Sequence, residues 1–208
     1  MRAVLKGYAR EPERFKIRRP AIVIGGRPNP FYKVWETLLL HSKARDVQTE
    51  LEPEVFTSFY KFAFVRNPWD LMVSMYHFIL REPEAARHAE VKALGSFDAF
   101  LEWVVKTPDP FPRGITKTQR EMLTDPRGNL LMDFVGHYET LEEDFAHVCS
   151  VLQIENTLPH LNRTQHQDYR TYYNQQTERL VGEHFRPDVE SFGYTFDGSA
   201  KPRHVHDS

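Results

Sequence analysis

The chain has 208 residues, of which 40% are hydrophobic and 13% aromatic, and its formal net charge is -2. This length and composition fit one globular domain with a substantial core and exclude a disordered chain. The near-neutral charge argues against nucleic-acid binding, which requires a basic excess, and the single Cys149 excludes a disulfide-built fold.

With one cysteine, a reducing cytoplasm is the expected location. No apolar run approaches the roughly 20 residues needed to cross a bilayer. Met1 to Lys6 is too short, and charged too early, for a secretory signal.

In chain order, residues Leu5 to Pro30 are rich in Arg, Lys, Pro and Gly and read as irregular. Ile22 to Gly26 is a short strand candidate running into a turn. A dinucleotide-binding turn is excluded there, because no G-x-G-x-x-G follows and Pro28 and Pro30 oppose the helix it needs. Ser42 to Leu51 has a helical pattern that Pro53 ends. Phe62 to Val65 is an apolar run of the kind that forms a buried parallel strand. Asn67-Pro68-Trp69-Asp70 is a helix start, with Asn as cap and Pro at the first helical position, and the helix is predicted to run to about Leu80. Phe97 to Val105 reads as a helix, and Pro108 to Gly114 as a proline-rich loop. Asp133 to Tyr138 reads as a second core strand. Leu141 to Leu152 is an amphipathic helix and Tyr172 to Phe185 the last one. The domain is placed at residues 1–197, with a polar tail at 198–208. Strands alternating with helices predict an α/β fold with a mainly parallel central sheet flanked by helices.

The chemistry centres on the segment Phe62 to Ser74. A buried strand delivers the chain to a helix N-terminus, whose unpaired N–H groups and positive dipole end suit a phosphate. Arg66 falls at the carboxyl end of the strand, where open α/β sheets bind ligands, and its planar fork matches phosphate oxygens. Ser74 lies two helical turns after Asn67, on nearly the same face. The same residues also fit an Arg66–Asp70 ion pair with Ser74 as a small packing residue.

Arg66-Asn67-Pro68-Trp69-Asp70, followed by an apolar stretch, Ser74 and an aromatic residue, resembles the 3′-phosphate-binding motif of Golgi carbohydrate sulfotransferases and their bacterial relatives. The resemblance runs from about His41 to Phe196 and includes Asp133 to Glu139, Leu158 to Asn162, Tyr169 to Tyr173 and Phe192 to Phe196. It implies a P-loop-like sulfotransferase fold, and the short length with no membrane-anchor pattern suggests a soluble bacterial enzyme rather than a Golgi one. It also implies 3′-phosphoadenosine 5′-phosphosulfate (PAPS) as donor, the desulfated nucleotide PAP as product, and a carbohydrate or glycoconjugate hydroxyl as acceptor. By the same resemblance Arg66 and Ser74 hold the 3′-phosphate, and Arg163 and Arg170 neutralise donor charge in a segment that closes over it. Tyr169 or Tyr172 would pack on the adenine. His41, ahead of the core strand and followed by Ala44 in the family's His-x-x-Ala pattern, is the expected catalytic base. Gln119 is the candidate for sugar hydroxyls, and His137 reads as a core residue.

One element departs from the family. A loop like Pro-Lys-Thr-Gly-Gly-Thr-Ser, which should hold the 5′-phosphosulfate, has no match between Met1 and Pro20, and Gly25-Gly26 lacks its Lys and Ser/Thr. The expectation is a chain short at its start, lacking the first strand and loop. The alternative is a degenerate, non-catalytic nucleotide-binding relative. A nucleotide kinase is disfavoured, since no G-x-x-x-x-G-K-[ST] occurs. Neither His nor Cys spacing makes a metal site, so no metal is expected. A homo-oligomer is left open.

Overall fold

The computed structural model describes residues 43–83, 85, 87–108, 110, 118–155 and 167–199, together with the short strands at 23–24 and 27–28. Those two strands, β1 (Val23–Ile24) and β2 (Arg27–Pro28), pair antiparallel. Next come helices α1 (Ala44–Glu50) and α2 (Pro53–Ser58), then strand β3 (Phe62–Val65). The predicted helix at Ser42–Leu51 is thus present. Pro53 ends it and then opens a second short helix at its own first position, where a missing N–H costs nothing.

β3 pairs in parallel with β4 (Phe134–His137), in a register that sets Phe62 beside Phe134 and Val65 beside His137. The strands enter together. Lys61 O accepts from Asp133 N at 2.7 Å, and the Asp133 carboxylate accepts from Lys61 N, also at 2.7 Å. A small parallel sheet is therefore present. β4 is buried throughout, whereas in β3 only Val65 is fully buried. Gly136 lets the two strands pack closely. A Cβ there would lie 2.7 Å from the Phe64 ring and 2.9 Å from Asp144 Cβ.

The helix after β3, α3 (Pro68–Arg81), begins where the sequence places it. The Asn67 side chain accepts from Trp69 N at 3.0 Å, and Pro68 fills the first position. α3 buries Trp69, Met72, Val73, Ser74 and Ile79. Against it pack α4 (His88–Leu94) and α5 (Phe97–Lys106). α5 is capped by Ser96, whose hydroxyl accepts from Ala99 N at 3.2 Å, and it buries Phe97, Phe100, Leu101 and Val104. After α6 (Gln119–Leu123) and β4, a 3₁₀ turn at Tyr138–Thr140 leads into α7 (Leu141–Leu152).

A second 3₁₀ turn, Tyr169–Tyr172, precedes α8 (Gln175–His184). The last long helix was expected from Tyr172. It starts three residues later because Asn174 and Thr177 form a reciprocal capping box. α9 (Arg186–Phe192) follows at once and ends at Gly193, whose φ of 68° lies in the left-handed region that glycine tolerates best. β5 (Tyr194–Thr195) and β6 (Gly198–Ser199) then form an antiparallel hairpin, so the expected tail begins inside a strand.

One core cluster joins β3, α3, α4, α5, β4, α8, α9 and β5. Met72, Val73, Phe100, Val104, Val181 and Phe185 are fully buried within it, and each large apolar side chain contributes about 1.5–3 kcal/mol by leaving water. Among the described residues no helix is long and apolar enough to cross a membrane, and no group of His, Cys, Asp and Glu is arranged to hold a metal ion.

Candidate functional site

The turn from β3 into α3 is braced from several other elements. Arg66 N donates to Gln119 Oε1 at 2.8 Å, and Gln119 Nε2 donates to Arg66 O at 2.8 Å. Asn67 N donates to Glu139 Oε1 at 2.7 Å, and the Asn67 amide donates to Thr195 O at 2.9 Å. Trp69 O accepts from the Tyr173 hydroxyl at 2.8 Å, and the Trp69 indole donates to Glu178 O at 2.9 Å. Partners from α6, the 3₁₀ turn after β4, Tyr173 ahead of α8, α8 itself and β5 thus converge on three residues.

This bracing revises one expectation. The N–H groups of Arg66, Asn67 and Trp69 donate to protein oxygens, and Pro68 has none to offer. The first turn of α3 is therefore not a bare amide cradle for phosphate. What the turn presents for anion binding is carried by side chains.

Arg66 Nε donates to Asp70 Oδ2 at 2.6 Å, with both side chains largely buried. The guanidinium carbon lies 4.2 Å from the centre of the Tyr138 ring, a cation–π contact. A carboxylate and an aromatic face thus fix the direction of a long cation. Ser74, on the same helix, is 9% exposed. Both the ion pair and the packed serine that the sequence allowed are present.

Gln119 opens α6, and both ends of its amide engage the main chain of Arg66. The start of α6 is held by Asp188 of α9, whose two oxygens accept from Gln119 N and Arg120 N at 2.8 Å each. Asp188 is fully buried, and burial pushes its carboxyl up to about 6, against the opposing pull of those two N–H groups.

Arg170 sits in the 3₁₀ turn before α8. Its guanidinium donates to Asp168 Oδ2 at 2.8 Å and to Asp197 O at 2.5 Å, and stacks 4.8 Å from the Tyr169 ring. The Tyr169 hydroxyl donates to Phe196 O. Tyr172 packs edge-on against His77 and Phe97. Burial raises the Tyr169 and Tyr173 hydroxyls above the ordinary tyrosine range, so both stay neutral donors. The expected base His41 and Arg163 lie outside the described residues, as does the Met1–Pro20 segment in which the phosphosulfate loop was sought.

His137 is a core residue, as its place in β4 implied. Its ring Nε2 contacts Phe192 O at 3.0 Å and its backbone N–H donates to Asp144 Oδ2 at 2.6 Å. Three participants were not singled out in the sequence: Glu139, Asp188 and Tyr173. Glu139 and Tyr173 fall inside segments that carry the family resemblance, and that was the available signal. Asp188 had none, since its partners lie about seventy residues away.

A protein of Archaeoglobus fulgidus described as uncharacterized is 28% identical over 129 residues, which is 60% of this chain and 93% of that protein. No solved structure matches the chain. The sequence model of the sulfotransferase family matches residues 16–195, which takes in the β3–α3 turn and every brace described around it, and the chain belongs to that family.

Proposed function

We propose that the protein moves a sulfuryl group from PAPS to a hydroxyl of a carbohydrate or glycoconjugate, with Arg66 and Ser74 holding the donor's 3′-phosphate. The observation that carries this reading is the geometry of Arg66. A cation stands at the carboxyl end of a parallel strand, with its main chain clamped and its side chain aimed by Asp70 and Tyr138. A pre-aimed guanidinium loses little freedom when an anion binds, which favours affinity.

When bound, PAPS supplies a sulfuryl group already activated by its phosphate leaving group. The chain's own work is positioning and charge neutralisation. Arg170, and Arg163 from the same stretch of sequence, balance the donor's negative charge. His41 takes the proton of the acceptor hydroxyl as the new O–S bond forms and the S–O bond to phosphate breaks.

Titration calorimetry with PAP tests the donor half of this reading. Wild type should bind, and Arg66→Ala should bind more weakly by roughly 1.5–3 kcal/mol, the scale of a charged hydrogen-bond partner. Equal affinities would remove Arg66 from the site. Incubation with ³⁵S-labelled PAPS and a panel of glycans then separates transfer from nucleotide binding alone.

A further inference from the structure

We propose that Gln119 and Asp188 are positioning residues for Arg66, forming a chain of support that runs from α9 through α6 to the β3–α3 turn. The proposal rests on the reading of Arg66 as a donor contact. α6 has only five residues, far below the length at which a helix holds itself together in water. It is fixed from outside, by the Asp188 carboxylate across its first two N–H groups and by Lys43 on Glu121 at 2.6 Å.

A buried carboxylate is costly unless it is fully hydrogen-bonded. Here it is engaged at both oxygens, and both of its donors belong to the start of α6. What that placement delivers is the Gln119 side chain. A primary amide carries a donor and an acceptor side by side, so it can satisfy the N–H and C=O of a single residue together. Gln119 does this for Arg66, at 2.8 Å in both directions. The grip resembles pairing with one more strand, but it is confined to the one residue whose side chain is proposed to meet the donor. Asp70 and Tyr138 then set the direction of the guanidinium from that fixed origin. This gives Gln119 a task other than contact with sugar.

The test is a double-mutant cycle on PAP affinity, read by calorimetry, with thermal unfolding recorded for every variant. Gln119→Met keeps the length and helix preference of the side chain and removes the amide. It should weaken PAP binding about tenfold, within the coupling range of residues in one hydrogen-bond network. In the Arg66→Ala background the same substitution should change nothing, because the residue it positions is gone. A loss of stability alone would not produce that dependence. If Gln119→Met binds PAP like wild type, or if the two losses add in full, the positioning role is overturned while the donor reading stands. If Arg66→Ala itself binds PAP normally, the donor reading fails and the positioning role falls with it. Should Gln119→Met not fold, Asp188→Asn goes through the same cycle. An affinity loss that vanishes with Arg66→Ala supports the proposal, and no loss, or one that persists, overturns it.

Discussion

Asp188 shows how a single buried carboxyl ties stability to pH. Burial raises its pKa to about 6, above the ordinary aspartate value. The folded chain therefore holds that proton more tightly than the unfolded chain. The stability this contributes is fully present below about pH 4 and is lost as pH rises through about 6. The loss inside that window is at most about 1.4 kcal/mol per pH unit. Asp188→Asn cannot titrate, and other acids cancel when the two proteins are compared. Urea unfolding of both from pH 4 to 7 should show wild type losing ground to the variant as pH rises, and a constant difference would contradict the shift. His41 makes a different prediction, because it is assigned to the acceptor and not to the donor. His41→Ala should lower turnover by about 10²–10⁴-fold while PAP affinity stays nearly unchanged. Turnover within a few-fold of wild type would remove it from the reaction.

At the level of elements, α3 depends on Asn67 twice. Its side-chain oxygen caps Trp69 N, and its amide nitrogen reaches Thr195 O in β5. Asn67 and Trp69 are buried, at 1% and 5% exposed, whereas Thr195 is exposed and its carbonyl can turn to water. Asn67→Ala should cost roughly 1.5–2.5 kcal/mol, about 1 for the cap and the rest for the lost hydrogen bond to Thr195 O. The denaturant midpoint should fall with an unchanged m-value. A loss under about 0.5 kcal/mol would mean that the turn is held by its other braces. The cap was readable in advance because Asn67-Pro68 acts within four residues of itself. So were β3, β4 and α7, whose apolar patterns are local. α4 escaped because it starts from a left-handed Arg87 and buries only Val91. α9 escaped because its first turn continues almost directly from α8 through Phe185. The brace from Gln119 to Arg66 spans 53 residues and leaves no periodic trace in the sequence, so only the fold discloses it.

Across the whole molecule, the core offers one chemical reporter. Cys149 is 2% exposed on α7, and burial raises its thiol pKa further above the ordinary range. The thiolate is the reactive form, so the folded protein should resist alkylation by iodoacetamide at neutral pH. Labelling should appear only with global unfolding, and rapid modification of the native chain would show that α7 opens separately from the core.

The braces on the β3–α3 turn also set an order of events during synthesis. Asn67 leaves the ribosome long before Gln119, Glu139, Tyr173 and Thr195, and the last of these lies 128 residues behind it. At a translation rate of about 5–20 residues per second, that interval is on the order of ten seconds. For the first half or so of it, until β4 emerges 72 residues behind, Phe62 to Val65 waits unpaired, an apolar segment exposed to any neighbouring nascent chain. The turn reaches its final form only when Thr195 has emerged, so a polypeptide released before that carries Arg66 but not the frame that aims it.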